Sequence, residues 1–590
     1  MAAKVRHQEE IKQADELLFA GRSMIGFARG LFHGRFLSEY VFPYPTLADA
    51  ERGEVEAAVA AVRAFAESSI DPAAIDRNEE IPVSVIEGLA ELGVLGMTAP
   101  PSFGGRGFSQ LAYGRVMEVL GGHCGATAIF VNAHHSIGLR ALLLFGTEAQ
   151  KARWLPPLAR GEQLAAFALT EPEAGSDAAN VQTQATPSED GQSFIVNGEK
   201  RYITNGAIAQ VLTVMARTPV PGRKDTQVTA LLVSPDMPGF EVVEPRMRKL
   251  GIRGTATARL RLRDMRVPRT HVLGQLGKGL KIALTVLDYG RTTFGACCTG
   301  AAKTLLRLSI RHARERRQFG RRLSDFELVK KKIAHMAAWT YAIEAMTQVT
   351  ARLIDRGTND YMLETAMLKV YATEAVWLMV NDAFQIHGGA AYFTDRPLER
   401  MLRDARLNQI GEGANDVLLS FIALVGMRGP GLELNDAWQA LQRPWRNWSR
   451  LLQAGQAELR TLFVAPPISV RAQALQHDGK RLGRCVLKLS RAIHYVLQRH
   501  REAVIDRQYL QERIAWAAVE IFASACVLSR IDIALASSPN TLGREQELTT
   551  AQYFLMASDR QIQRHLQAVY RRGAEDALCT SVADLALHNQ

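Results

Sequence analysis

The sequence predicts a mainly α-helical protein with a small β domain set into its middle. Three observations carry that reading. Apolar residues recur at three- and four-residue spacing from about 47 to 165. The period drops towards two between about 166 and 276, and the helical period returns from 277 onwards. At 590 residues the chain is long enough for about four domains. The expected organisation is an N-terminal extension over 1–46, a helical domain over 47–165 and a β domain over 166–276. A four-helix bundle over 277–429 and an additional helical domain over 430–590 complete it.

The elements follow in order. Ala50 to Ser68 and Val83 to Leu95 read as amphipathic helices, set apart from the next ones by the Gly/Pro-rich run Ala99 to Gly105. Strands are expected at Phe194 to Val196, Arg201 to Ile203, Val211 to Ala216, Val228 to Val233 and Ala258 to Leu262. Asn197-Gly198 and Asn205-Gly206 supply turn signals between them. The segments from 277 to 428 are long enough for a bundle, and Pro430-Gly431 reads as its boundary. The tail is helical again, with Pro444, Pro466 and Pro467 interrupting its first part.

Composition narrows the class. Apolar residues at 47% and charged residues at 22% exclude a disordered chain. The best candidate apolar run, Trp516 to Leu528, is broken by Glu520 and Ser524, so no membrane span is expected. Glu9, Glu10, Asp15 and Glu16 fit neither a signal peptide nor an acid-poor transit peptide. Six cysteines without a C-x-x-C pair argue against zinc or a disulfide framework, and a cytoplasmic setting is expected.

The net charge of +11 is concentrated locally. Arg443 to Arg499 holds eleven basic residues opposed only by Glu458 and Asp478, which points to an anionic partner for that segment rather than nucleic acid. At its start Trp438, Trp445 and Trp448 alternate with Arg443, Arg446 and Arg450, ahead of Leu451, Leu452, Leu462 and Phe463. Residues 436–475 read either as a membrane-interface segment or as an Arg-rich helix packed on a neighbouring subunit.

No phosphate-binding G-x-x-x-x-G-K-[ST], no G-x-G-x-x-G after a strand, no H-E-x-x-H and no G-x-S-x-G occurs. Four other segments stand out. Phe167 to Asp177 runs from a strand into a loop of Pro, Gly and Ser. Arg201 to Gly206 sets an aromatic and a hydroxyl beside a tight turn, and Arg314 to Gly320 closes a helix with clustered guanidiniums suited to phosphate. The fourth is Gln385-Ile386-His387-Gly388-Gly389, followed by Arg403 to Arg406 and Ile410-Gly411-Glu412-Gly413-Ala414-Asn415-Asp416. There paired glycines permit close approach to a ligand, and a carboxylate stands just before an apolar helix. Taken singly, each has a plain structural reading as a turn, a hairpin or a solvated helix end.

Together and in this order the four segments resemble the acyl-CoA dehydrogenase family, from about Phe32 to the C-terminus. The match is nearest to its very-long-chain subgroup, through Leu31-Phe32-His33-Gly34, His134 to Gly138, Gly251 to Gly254 and the helical tail. The resemblance implies a helical domain, a β-barrel-like middle domain and a four-helix bundle, with the extra helical domain beyond. It implies FAD-dependent α,β-dehydrogenation of long-chain acyl-CoA to trans-2-enoyl-CoA, with electrons passed to an electron-transfer flavoprotein. An oxidase using oxygen and a non-catalytic assembly relative are the alternatives.

Residue by residue, the resemblance makes Glu412 the base and Arg291 its support, with Asp288 and Gly413 near the substrate. Phe167, Leu169, Thr170, Ser176, Tyr202 and Thr204 are expected around the flavin ring, Ser176 also touching the thioester. Arg316, Gln318, Phe319, Gln385, Gly388 and Gly389 would hold the FAD pyrophosphate and adenosine across a homodimer interface, with Ala414 and Asp416 also near FAD. The family's alternative base position reads Gly290. Tyr202 replaces a Trp, Ala414 a Thr, Gly411 a bulky aromatic, and Glu327 a Gln or Gly. In the long-chain relatives the region matching 436–475 contacts membrane, which implies peripheral attachment to an anionic inner leaflet or, in a eukaryote, to the mitochondrial inner membrane.

Overall fold

The computed structural model describes residues 25–441, 462–537, 542–571 and 573–588. The chain forms two compact units, one of residues 46–414 and one that joins Ile25–Pro45 to residues 415–590.

The first unit opens with helices α2 (Asp49–Ser69), α3 (Pro72–Asn78) and α4 (Val83–Glu91). Val55, Ala58, Val62 and Ala66 recur at helical spacing and give α2 its buried face. Asp71 caps α3, its carboxylate accepting from the N–H groups of Ala73 and Ala74, with Pro72 pre-set in the first turn. Helices α5 (Gln110–His123) and α6 (Gly125–Asn132) follow. From Asn132 the backbone widens into a π-helical stretch, Ala133–Leu139, before α7 (Arg140–Phe145) and α8 (Glu148–Ala159).

Eight strands then form one sheet: β1 (Ala165–Ala168), β2 (Gln184–Pro187), β3 (Ser193–Ile203), β4 (Val211–Thr218), β5 (Gln227–Val233), β6 (Phe240–Glu244), β7 (Ala258–Pro268) and β8 (Val272–Leu273). The order is β6-β7-β3-β2-β4-β5-β8, and β1 pairs parallel with β4. The β3–β7 register shifts twice, between Val196 and Gly198 and between Lys200 and Ile203.

Three long helices complete the unit: α9 (Gly279–Glu315), α10 (Glu327–Asp355) and α11 (Met362–His387), with the shorter α12 (Leu398–Asn408) after them. Two short strands, β9 (Arg317–Gln318) and β10 (Arg321–Arg322), form a hairpin between α9 and α10. Glycines set how closely α9 lies on α5. A Cβ on Gly300 would collide with the Glu118 carbonyl and the Gly122 amide, and one on Gly121 would collide with the Cys297 backbone.

The second unit contains α1 (Phe27–Phe32), α13 (Asn415–Leu441), α14 (Gln476–His500), α15 (Gln508–Ser537), α16 (Leu542–Tyr570) and α17 (Ala574–His588). Here the structure departs from the expected boundaries. Residues 25–45 are no loose extension, because Phe27, Ala28, Leu31 and Phe32 are fully buried in the second unit. Gly426 and Gly429 of α13 leave room that a Cβ would take from Phe32 and His33, and Ser529 Oγ donates to the Val41 carbonyl at 2.7 Å. Nor does Pro430 end a helix. It lies inside α13, and the boundary between units falls one element earlier, after Ala414.

The expectation of no membrane-length helix is also revised. By length and composition Gly125–Phe145, Asn415–Asp436 and Gln508–Ala536 all qualify, since scattered polar residues interrupt each run without lowering its average far. Their apolar windows are 72%, 44% and 83% buried within the protein, so the first and last serve as core helices. The Trp/Arg-rich stretch from Gln442 to Thr461 lies outside the described residues.

Gly300→Ala is expected to lose about 3 kcal/mol through overpacking at the α5–α9 crossing. The urea midpoint measures it; an unchanged midpoint would show that the crossing relaxes freely.

Candidate active site

The turn after α12 carries Glu412 into a backbone conformation that side chains rarely adopt, with φ 58° at Glu412 and 99° at Gly413. Glu412 is partly exposed as a residue, but its Oε2 is sealed from solvent and accepts no hydrogen bond. Burial raises its pKa to about 7, while the Arg291 guanidinium and the Lys369 ammonium pull the other way. Across from the carboxyl stands Gly290 on α9. A Cβ built there would lie 3.0 Å from Oε2 and 3.2 Å from Ile137 of the π-helical stretch. A Cβ on Gly411 would approach nothing closer than the Leu407 carbonyl at 3.7 Å, so the turn has open space beside the base.

Two helices hold the turn. From α9, Arg291 Nε donates to the Glu412 carbonyl at 3.2 Å, and its Nη1 donates to Asp288 at 3.1 Å. From α11, Lys369 Nζ donates to the Gly413 carbonyl at 2.7 Å, and Thr365 Oγ1 donates to Asp288 at 2.7 Å. Asp288 was expected beside the substrate. Its buried carboxylate binds Arg291 to α11.

A second group forms where β1 ends beside β3. The Arg201 amide donates to the Thr170 carbonyl at 2.9 Å, which brings Phe167, Leu169 and Thr170 next to Tyr202 and Thr204. Tyr202 sits in the second register shift of β3 with φ 60°; the residue is 56% exposed and its ring lies 4.8 Å from the Arg201 guanidinium. Beneath it Lys200 and Glu171 form a fully buried ion pair at 2.6 Å. Glu171 also accepts from Gln182 and Thr183, so the loop holding Ser176 is anchored at both ends while Ser176 itself stays exposed.

The third group gathers at the C-terminal ends of α9 and α11, joined by the stacked rings of His312 and His387 at 4.2 Å. Arg316 and Gln318 are exposed, and Phe319, at φ 52°, is 93% exposed. On α11 Gln385 is exposed, and Cβ atoms on Gly388 and Gly389 would meet nothing within 4 Å. These features fit a flat, phosphorylated cofactor: an exposed ring for stacking, guanidinium groups at a helix end, and glycine backbone open to close approach. Ala414 ends the first unit, and Asp416 is exposed in the first turn of α13 in the second.

Some of this escaped sequence reasoning, and some signals proved structural. Lys369 carries no motif signal, being one cation inside an apolar helix. Ile137 gained its place through a π-helical widening that periodicity does not reveal. Conversely, Arg403 pairs with Asp76 at 2.6 Å and Asp404 accepts from the Ile252 amide, so that part of the fourth segment binds elements of the fold together.

The chain is similar to known proteins over most of its length. The chain matches the acyl-CoA dehydrogenase N-terminal domain over residues 52–162, the middle domain over 166–265 and the C-terminal domain over 277–426. Residues 473–590 match the ACAD9/ACADV C-terminal domain. The human mitochondrial very long-chain specific acyl-CoA dehydrogenase is 35% identical over 531 residues, covering 88% of this chain and 81% of that protein. The probable acyl-CoA dehydrogenase FadE10 of Mycobacterium tuberculosis is 32% identical, covering 93% and 87%. An acyl-CoA dehydrogenase of Bacillus anthracis solved with FAD superposes with a TM-score of 0.79 at 26% identity, covering 94% of each chain.

The ion pair beneath Tyr202 gives a test of the second group. Lys200→Met strands a buried carboxylate and is expected to lower stability by about 4 kcal/mol, measured by urea unfolding. A loss below about 1 kcal/mol would mean that water reaches the pair.

Proposed function

The chain belongs to the acyl-CoA dehydrogenase family, an FAD-dependent oxidoreductase family acting on CH–CH bonds, and from that premise we propose that Glu412 is its catalytic base. The observation that carries the assignment is a buried carboxyl oxygen without a hydrogen-bond donor, facing a glycine and framed by two cations. Such a group is short of a proton partner, which an acidic C–H beside a thioester supplies.

Bound FAD supplies the acceptor for the β-hydrogen as the double bond forms. The chain's own residues do the rest. Glu412 takes the α-proton on its carboxyl. Its backbone N–H, with other preorganised donors, holds the thioester oxygen as negative charge grows there. Tyr202 offers a stacking face, and Thr170, Ser176 and Thr204 offer hydroxyls at the ring edge. Arg316, Gln318 and Phe319, with Gln385, Gly388 and Gly389 of a second subunit, would hold the diphosphate and adenosine, which makes the enzyme a homodimer. With open space at Gly411 beside the base, long acyl chains are the proposed substrates. An electron-transfer flavoprotein is the proposed acceptor.

The basic Trp/Arg segment of 436–475 is proposed to attach the enzyme to an anionic membrane face, its guanidiniums pairing with headgroups and its indoles entering the interface. Flotation with anionic vesicles at low salt, lost at high salt, is the expected result. Absence of flotation at low salt removes the proposal.

Two measurements test the base. Glu412→Gln should leave FAD bound yet abolish anaerobic bleaching of the flavin by palmitoyl-CoA, so persistent bleaching would overturn the assignment. In the wild type, kcat/KM should rise with pH through about 7 as Glu412 loses its proton, and fall about tenfold per unit below it. A profile flat from pH 5 to 8 would place the essential base elsewhere.

A further inference from the structure

Glu412 and Gly413 are consecutive residues with left-handed φ, and the carbonyl of each is held by a buried cation from a different helix. Arg291 of α9 holds the first and Lys369 of α11 holds the second. The two helices are tied together at the same level by Asp288, which accepts from Arg291 and Thr365. Thr365 and Lys369 are one turn apart on α11, and Asp288 and Arg291 one turn apart on α9. The result is a closed frame of four side chains around the turn, none more than 5% exposed.

Two physical points make Lys369 informative. A left-handed glutamate costs on the order of 1–3 kcal/mol and persists only where its surroundings over-determine it. An ammonium with no exposed surface is itself costly, and a neutral donor such as glutamine would satisfy a carbonyl without that cost. At the Gly413 carbonyl a cation therefore stands where a neutral hydrogen-bond donor would also serve. What distinguishes the cation is its field on the nearby carboxyl.

We propose that Lys369 is a positioning residue for proton abstraction, pinning the Gly413 carbonyl so that the turn presents Glu412, and setting the charge environment in which the carboxyl works. The proposal rests on Glu412 being the base. Groups on every packed element enter the balance: Arg291 and Cys298 on α9, Glu374 on α11 itself, and Glu412 in the turn. Burial and Arg291 bring the Lys369 pKa down to about 7, whereas Glu412 opposes that fall. Charge at Lys369 favours the ionised base, so removing it must raise the pH at which Glu412 becomes competent.

The experiment compares Lys369→Met, Lys369→Gln and Lys369→Arg holoenzymes with wild type and Glu412→Gln. Flavin content and thermal midpoint are recorded, along with the rate of anaerobic flavin reduction by palmitoyl-CoA from pH 5.5 to 9.5. Lys369→Met is expected to cut the rate at pH 7 about 10²-fold, since both the clamp and the charge are lost. Lys369→Gln keeps a donor for the Gly413 carbonyl. It should retain flavin and fold while its acid limb moves up by about one pH unit, so that most activity returns above pH 9. Lys369→Arg should restore the wild-type limb.

An unshifted limb in Lys369→Gln, or a loss equal at every pH in each variant, overturns the proposal and leaves Lys369 a packing residue. If Lys369→Met does not fold, the Gln and Arg pair still decides. Failure of the underlying assignment reads differently, because Glu412→Gln would then still bleach the flavin whatever the Lys369 variants do.

Discussion

The whole site depends on one unfavourable placement, a carboxyl oxygen taken out of water and given no donor. In isolation that would be paid back by protonation, leaving an inert acid. The protein prevents this with charge instead of hydrogen bonds. Arg291 and Lys369 each give a hydrogen bond to a carbonyl of the turn and none to Oε2, so their fields reach that oxygen while its lone pairs stay open. A direct Arg–carboxylate bond would have produced a stable, unreactive ion pair. The buried pair of Lys200 and Glu171 shows that alternative elsewhere in the same unit. There the ammonium sits 2.6 Å from the carboxylate, which also accepts from Gln182 and Thr183 and has nothing left to offer.

Much of this architecture was legible in the sequence because it rests on periodicity and on glycine. The change from a period near four to a period near two, and back, marks the sheet from Ala165 to Leu273 within about three residues. Glu412 stood out through its flanking glycines, and the structure shows what they do. Gly413 takes a φ of 99°, and Gly411 leaves the flank of the turn open. What remained illegible depends on pairings distant in sequence. Lys369 meets Gly413 across 44 residues, Asp288 meets Thr365 across 77, and neither pairing leaves a local trace.

Two stretches depart from their local signals. Pro430 removes one helix donor, yet α13 runs through it, with Pro430 itself and the apolar residues before it buried. Residues 27–32 were too short to read as a domain element, although the glycines of α13 make space for them. At residues 27–32 tertiary burial outweighs a weak local signal, and burial is a quantity that a single sequence does not display.

Gly290 shows how the two possible base positions exclude each other. Any side chain there would begin 3.0 Å from the Glu412 oxygen and 3.2 Å from Ile137, so the volume that the carboxyl uses is the volume a residue at 290 would need. A glutamate at 290 could not reach the same reaction centre without expelling Glu412 from its present position, and two carboxylates in that space would raise each other's proton affinity. Glycine at 290 is therefore more than a vacant alternative. It is the condition under which a base on the α12–α13 turn can lie against α9, which ties the chemistry of the turn to the backbone of a helix about 120 residues earlier.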